Sequence, residues 1–506
     1  MNIQQHGGQD NNIKIKFKED FSVTTNLLGS NKNALEIIKK NLKEIEHYPP
    51  QSFEPYLSNL KDFLFKDLEE NNNILLGNGA SELIDLVIRS VPGDSWKPGK
   101  SSVQFLEYER CAISANKEKK KYDDNGANLM CIINPNNPTG DYMNIEKMKD
   151  YITKYSVKHS YVIVDESMQP WVGSEWRKDS LLSQTKWIKE MAEKYIYIYI
   201  IHSWTKIFSC TGIRYGSLIC PTNNLYIKIK SIQVPWSVNI LALKYVDYCI
   251  KDNEYLENTW KKTIELRKYQ IKKIKDLFPT WECIGKPFLS WIWINTHDKT
   301  VAKLAYQLAK YNGTPIRYGK IGYKMSTHIR IAVREKKYFD DLLECISILK
   351  NPIHKSLIHV NIDDSIIIDF KWIELNKLKS HEAYIEKRHT KLLEYIKSIG
   401  NPFSIPALIV CSKTLTIIDG HHRYSVMRVL GVKKVPCLLI HYENKNIIVS
   451  SYNSITKKQV IDAGITSKYL APKSTAHMIM DKNSNFHPII ILSPIVFVNM
   501  HDNNKI

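Results

Sequence analysis

Four short apolar runs constrain this chain more than any other feature, because each closes on a cluster of different chemistry. Ile74-Leu75-Leu76 runs into Gly77-Asn78-Gly79-Ala80-Ser81-Glu82, and Met130-Cys131-Ile132-Ile133 into Asn134-Pro135-Asn136-Asn137-Pro138-Thr139-Gly140. Tyr161-Val162-Ile163-Val164 ends on Asp165-Glu166, and Ile196-Tyr197-Ile198-Tyr199-Ile200-Ile201 on the stretch from His202 to Gly216. Runs this short and apolar read as buried strands. In open α/β sheets, ligands bind in the loops at the C-terminal ends of parallel strands.

The clusters carry complementary chemistry. Lys206 lies among the hydroxyls of Ser203 and Thr205, and such a lysine can form a Schiff base with an aldehyde. Arg214, flanked by Gly212 and Gly216, can hold a phosphate with those hydroxyls. The glycine turn before Ala80 and Ser81 presents free N–H groups at a helix N-terminus, a second phosphate donor set. An acid at the tip of a buried strand, as Asp165 is, needs a partner to offset its burial. Upstream, a helical pattern covers Asn33 to Glu46 and stops at Pro49-Pro50. Tyr108 follows Phe105 after a strand, as core or as a ring-stacking platform.

In this order the motifs resemble the class I/II pyridoxal-phosphate aminotransferases, nearest to histidinol-phosphate aminotransferase and threonine-phosphate decarboxylase. Asp20-Phe21-Ser22-Val23 and Val234-Pro235-Trp236-Ser237-Val238-Asn239 give the decarboxylase flavour. The resemblance covers residues 19–350 and implies an α/β, fold type I transferase with a mostly parallel sheet and large and small subdomains. It implies that Lys206 holds pyridoxal 5'-phosphate and moves protons, and that Asp165 pairs with the pyridinium nitrogen. Asn137 would bind the ring oxygen and Tyr108 would stack on the ring. Ala80, Ser81, Ser203, Thr205 and Arg214 would hold the phosphate. Arg330 would clamp the substrate carboxylate, with Arg334 as a contact for a substrate phosphate. Tyr48 would reach the cofactor phosphate of a neighbouring subunit, which implies a homodimer. Three departures stand out: Met168 replaces an aromatic, Trp291 follows Ser290 where asparagine is common, and the Tyr108–Asn134 segment is short enough to have lost a strand or helix.

After a linker at 351–365 the pattern restarts. Ile366–Phe370 and Trp372-Ile373 read as strands, and Leu378–Arg388 opens a helix that Ser380 could cap, with Glu382 in its first turn. Ile405–Val410 and Leu415–Ile418 read as a hairpin leading into Asp419-Gly420-His421-His422-Arg423 and a helix, an anion cradle. With His381-Glu382 and Lys473-Ser474-Thr475-Ala476-His477, this resembles the free-serine kinases of the ParB/sulfiredoxin superfamily, an α+β domain over 366–482. The resemblance implies Glu382 as general base, Asp419, Gly420, His421, His422 and Arg423 around the phosphates of ATP or ADP with Mg2+, and Lys473, Ser474, Thr475 and His477 at the amino acid. Ala476 stands where arginine is frequent. Residues 1–18 read as a disordered N-terminus and 483–506 as a C-terminal tail.

Charge narrows the classes. Lys+Arg exceed Asp+Glu by 71 − 52 = 19. The excess is spread through lysine-rich faces without an arginine arm, so it reads as solvated surface and not as a nucleic-acid site. The cysteines number nine, an odd count without metal-ligand spacing, which points to a reducing compartment and no metal site. No leader pattern appears, and the longest apolar runs fall short of the roughly 20 residues of a membrane span, so a cytoplasmic protein is expected. The leading expectation is a bifunctional enzyme. One domain would phosphorylate free serine or threonine, and the other would transaminate or decarboxylate the phosphoamino acid. The alternatives are a cofactor-sensing regulator with a nucleic-acid-binding ParB-like domain, and an aminotransferase with a degenerate appendage.

Overall fold

All four apolar runs are strands of one seven-stranded sheet. The computed structural model describes residues 17–101, 103–349, 361–450 and 455–498. Its first strands are β1 (Ile74–Gly77), β2 (Ser95–Pro98), β3 (Glu118–Lys119), β4 (Leu129–Ile133), β5 (Ser160–Asp165), β6 (Ile196–Ser203) and β7 (Gly216–Ile219). They lie in the order β1-β7-β6-β5-β4-β2-β3. β2 to β6 pair in parallel, and β7 runs antiparallel to both β1 and β6. The segment between Tyr108 and Asn134, expected to have lost a strand or helix, holds most of the helix Glu107–Ser114, the two-residue β3 at the sheet edge, and β4.

Both faces of this sheet are covered. Along β5, Val162 and Val164 pack into one apolar cluster and Ile163 into the other, the period of two that a strand imposes. Each such side chain contributes about 1.5–3 kcal/mol by leaving water. The helix Ala80–Ser90 lies over one face through Leu83, Ile84 and Val87. The helical pattern at 33–46 breaks in two: an α-helix Lys32–Lys40 capped by Asn31, then a 3-10 turn Leu42–Glu46. Asn41 makes the break by turning its side-chain amide back onto the Ile37 carbonyl, 2.7 Å away.

A second, antiparallel sheet has the order β10-β11-β9-β8, built from β8 (Glu282–Ile284), β9 (Trp291–Asn295), β10 (Arg317–Tyr318) and β11 (His328–Ala332). The 25-residue helix Asn253–Leu277 precedes it, capped by Asp252. These elements complete the first of two compact units, residues 1–346. Of the stretch expected to be disordered, residues 1–16 lie outside the described residues. Lys18 is anchored: its ammonium is 2.9 Å from Asp341.

The second unit, residues 347–506, contains a five-stranded mixed sheet. Its strands are β12 (Ile367–Glu374), β13 (Lys379–Ser380), β15 (Leu408–Cys411), β16 (Thr416–Asp419) and β17 (Lys434–Ile440), in the order β12-β17-β15-β16-β13. β15 and β16 form the expected hairpin, but Ile405 belongs elsewhere. It lies in β14 (Phe403–Pro406), which pairs with β21 (Ile495–Val498). β18 (Ile447–Ser450), β19 (Ala476–Met480) and β20 (Phe486–Pro488) form a third sheet. The stretch from Asn483 is therefore woven into two sheets and is not a loose tail; residues 499–506 lie outside the described residues. Of the expected linker, residues 351–360 lie outside them as well, and Ile366 just beyond it is fully buried. The helix expected to open at Ser380 begins at Glu386 instead. Ser380 donates to the Glu382 carbonyl at 2.8 Å, so it caps nothing and Glu382 is not a first-turn acid.

Candidate active site

β6 delivers Lys206. The strand ends at Ser203, and the one-turn helix Trp204–Ile207 raises the lysine into a cavity of about 310 Å3 at the C-terminal ends of β4, β5 and β6. Burial, then repulsion by Arg330 and Arg214, pulls its ammonium down to about 8; Asp20 and Asp165 oppose this. About a tenth of Lys206 is thus a neutral amine at pH 7, far more than of an ordinary lysine.

Beside it is an anion cup. Gly79, at φ 78°, turns the chain into the helix that starts with Ala80 and Ser81. Gly216 of β7 packs so closely on this turn that a Cβ there would lie 2.6 Å from the Ala80 nitrogen. The hydroxyls of Ser203 and Thr205 are 2.8 Å apart. Arg214 stands at φ 58°, a left-handed conformation that costs a non-glycine residue about 1–3 kcal/mol, and it lines the same cavity.

Asp165 closes the far end. Its Oδ2 accepts the Tyr108 hydroxyl at 2.9 Å and its Oδ1 the Ser167 N–H at 2.9 Å. Burial pushes its carboxyl up, and those hydrogen bonds pull the other way. A cation placed against this carboxylate would be strongly favoured. Asn137 lines the cavity with its Oδ1 accepting from Arg330 Nη1 at 2.5 Å. Arg330 also donates to the Ser22 carbonyl at 2.5 Å, and its buried Nε has no partner among the described residues. Trp291 is buried behind this loop, its indole N–H donating to the Pro138 carbonyl at 2.8 Å. Met168 lines the cavity with a thioether, which offers no hydrogen bond.

Several expected roles are corrected. Tyr108 is fully buried in the helix Glu107–Ser114 and spends its hydroxyl on Asp165, so it is no stacking platform; Phe105, three residues earlier, lines the cavity. Arg334 is no substrate contact. Its guanidinium is buried against the 19–25 segment, donating to the carbonyls of Val23 and Thr25 at 2.7 and 2.9 Å and pairing with Glu19 at 3.2 Å. Two residues missed in the sequence, Arg317 and Tyr323, line the cavity instead. Arg317 stands opposite Arg330 in the β10–β11 register, on a strand of two residues that leaves no periodicity to read. Tyr48 lies outside the cavity, 77% exposed and stacked on Trp236 at 4.3 Å.

The second unit gathers its motifs as well. Glu382 accepts the Lys473 N–H and the Thr475 hydroxyl, the latter at 2.9 Å. Burial pushes its carboxyl up against those bonds. His381, His421 and His477 cluster with ring centroids 4.4 and 5.6 Å from His381. Burial holds them neutral, pulling His381 to about 4 and His477 to about 3, with His421 well below the ordinary value. His477 bonds the Tyr442 hydroxyl at 2.8 Å, so it is a core histidine and not a substrate contact. Arg423 is withdrawn from phosphate work: it donates to the Pro406 and Ala407 carbonyls at 2.6 and 2.7 Å and pairs with Asp419. His422 accepts the Ile385 N–H at 3.0 Å. Gly420, at φ 112°, starts the nine-residue helix His421–Val429. Ser474 Oγ is buried without a partner among the described residues. Among those residues no His, Cys, Asp and Glu group could hold a metal ion, and no helix is long and apolar enough to cross a membrane.

Comparison with known proteins bears on the first unit. Residues 100–346 match the family model "Aminotransferase class I and II". A histidinol-phosphate aminotransferase of Staphylococcus aureus is 27% identical over 345 residues, covering 64% of this chain and 89% of that one. The fold is that of the histidinol-phosphate aminotransferase from Clostridium acetobutylicum (TM-score 0.57, 24% identity, 66% of this chain and 99% of that). It is also that of the L-threonine-O-3-phosphate decarboxylase from Porphyromonas gingivalis (TM-score 0.55, 18% identity, 66% and 99%). The site fits the cofactor of such domains, pyridoxal 5'-phosphate. The cup would take its phosphate, the Lys206 amine its aldehyde, and the unmatched Asp165 carboxylate its ring nitrogen. Over residues 100–346 the first unit of this chain is thus similar to the class I and II aminotransferases, and it has the fold of their solved members.

Proposed function

We propose that the first unit transaminates or decarboxylates a small amino acid or amine that carries a phosphate, and that the second unit makes this substrate by phosphorylating free serine or threonine. The observation that carries the first half is the pairing of Arg330 with Arg317 across β10 and β11 in the Lys206 cavity. Two guanidinium groups beyond those of the cup suit a substrate with two anionic groups, a carboxylate and a phosphate. The histidinol-phosphate and threonine-phosphate chemistry of its relatives agrees with that charge pattern.

When bound, pyridoxal phosphate supplies an electron sink for the bond broken at the substrate α-carbon. The chain's residues do the rest. Asp165 keeps a proton on the ring nitrogen, held in place by Tyr108 and Ser167. Asn137 and Arg330 present the ring oxygen and substrate carboxylate contacts from adjoining positions. Lys206, already low in proton affinity, is poised to accept and return a proton at its Nζ. Tyr48, exposed beside Trp236, is available to a second copy of this chain, and a homodimer would complete the cup.

In the second unit, Glu382 is the general base for the substrate hydroxyl. The helix N-terminus at Gly420–His422 would hold the phosphates of ATP or ADP, supplied with Mg2+. Lys473 offers an exposed ammonium for the amino acid. With Arg423 committed to Asp419 and two carbonyls, phosphate recognition would fall to the backbone N–H groups of the Gly420–His422 turn.

The test is mass spectrometry of products from the purified protein with pyridoxal phosphate, Mg2+, ATP or ADP, and serine or threonine, without a 2-oxo acid. An amino-alcohol phosphate establishes both activities and makes the first unit a decarboxylase. Phosphoserine or phosphothreonine that converts only after a 2-oxo acid is added makes it a transaminase. Unchanged amino acids, with added phosphoserine and phosphothreonine also untouched, would overturn the reading.

A further inference from the structure

His381 is the most deeply buried polar residue around Glu382, and none of the roles above uses it. Its hydrogen bonds determine where its protons are. Nδ1 is 2.6 Å from the Ile417 carbonyl, which can only accept, so Nδ1 carries a hydrogen. Burial keeps the ring neutral, so Nε2 is a bare acceptor. Nε2 is 3.1 Å from Thr475 Oγ, and the same Oγ is 2.9 Å from Glu382 Oε2.

Thr475 has one proton for these two acceptors. With Glu382 ionised, one of the two buried contacts goes unsatisfied, which costs about 1–3 kcal/mol. With Glu382 protonated, its O–H donates to Thr475 Oγ, the Thr475 O–H donates to His381 Nε2, and every group is paired. The trio is complete with one proton more than it holds at rest.

We infer that Thr475 joins Glu382 to His381 as a one-proton relay, with Thr475 and His381 as positioning residues that make Glu382 a better base. The inference rests on Glu382 being the base of the second unit; the hydrogen-bond accounting does not. In the proton-transfer step the substrate O–H bond breaks and an O–H bond forms on Glu382. The Thr475 hydroxyl then rotates from Glu382 to His381, and no proton leaves the network. Lys473 faces Glu382, and His421 and His477 face His381, with His422, Arg423 and Lys457 beyond them. These cations and neutral imidazoles oppose a lasting positive charge on His381, so the proton rests on Glu382.

Nuclear magnetic resonance of the full chain, with histidine ring nitrogens and glutamate carboxyl carbons labelled, tests this without substrate. In the native protein and in Thr475→Ser, the His381 Nε2 signal should shift with the same midpoint as the Glu382 carboxyl. In Thr475→Val the Glu382 transition should move to lower pH, since the hydroxyl that completes the protonated network is gone, and His381 should stay flat. Glu382→Gln imposes the protonated pattern, since its amide donates to Thr475; His381 should there stay at the native low-pH position across the titration. A native His381 signal that ignores Glu382, or a Thr475→Val protein that keeps the coupling, would overturn the relay. Loss of the kinase reading in the product assay would leave this result standing, so the two can fail separately.

Discussion

Lys206 shows how far one residue's environment carries a functional reading. An amine pulled to about 8 is half neutral at that pH, where an ordinary lysine is neutral about 150 times less often. Competitive acylation of the protein at mildly alkaline pH should therefore modify Lys206 ahead of any other lysine that reagent can reach equally. Replacing Arg330 by Leu removes the largest repulsive charge and should move that reactivity to higher pH. The same shift has a linkage consequence. The folded protein releases this proton more readily than the unfolded chain, so the group's cost to stability is full below about 8 and fades as pH rises to lysine's ordinary value. Arg334 makes the opposite case. Its buried guanidinium ties down the 19–25 segment, so Arg334→Gln should cost about 3 kcal/mol or more in urea unfolding while cofactor uptake persists. In the sequence both arginines of Arg330-Ile331-Ala332-Val333-Arg334 looked equally fit to meet a substrate. Four residues apart on an extended chain they share a face, and the carbonyls of Val23 and Thr25, some 310 residues away, take up Arg334 and leave Arg330 to line the cavity. Phe105 and Tyr108 were confused for a related reason: the helix between them turns one ring inward, and its exact start is not written in the residues.

At the scale of elements, β7 packs backbone to backbone against the glycine turn. Gly216→Ala would drive a methyl into the Ala80 nitrogen and push the anion cup outward. Overpacking of this kind costs about 1–3 kcal/mol, so pyridoxal phosphate should bind at least about fivefold more weakly, measured by titration of cofactor absorbance. The strands β1, β4, β5 and β6 and the chemistry at their tips were legible, because buried parallel strands leave uninterrupted apolar runs. The direction of β7 was not, since nothing in the four residues Gly216-Ser217-Leu218-Ile219 tells which way the strand runs. β3 was invisible at two residues on an edge. In the second unit, the helix start was misplaced because Ser380 has the residue type of a cap while its backbone belongs to β13. Its C-terminal strands looked like a tail because their pairing partners, β14 and β19, lie far upstream or are themselves short.

Across the whole molecule, the two units keep separate chemistries. Lys206→Ala should abolish cofactor uptake and leave any phosphorylation of free amino acid intact, while Glu382→Gln should do the reverse; product assays on each variant check both. Coupled loss in either variant would mean that the sites are not independent. The first unit's class was readable from five ordered motifs, because catalytic geometry at strand ends tolerates little change. The side-chain network of the second unit was not, because His381, Thr475 and Glu382 come together only through β13, β16 and the 470–475 turn. The most direct test of the central claim is to load the protein with pyridoxal phosphate, reduce it with borohydride, and map the modified peptide. A phosphopyridoxyl group on Lys206, absent from Lys206→Ala, is the expected result. A label on another lysine, or none, would contradict the account.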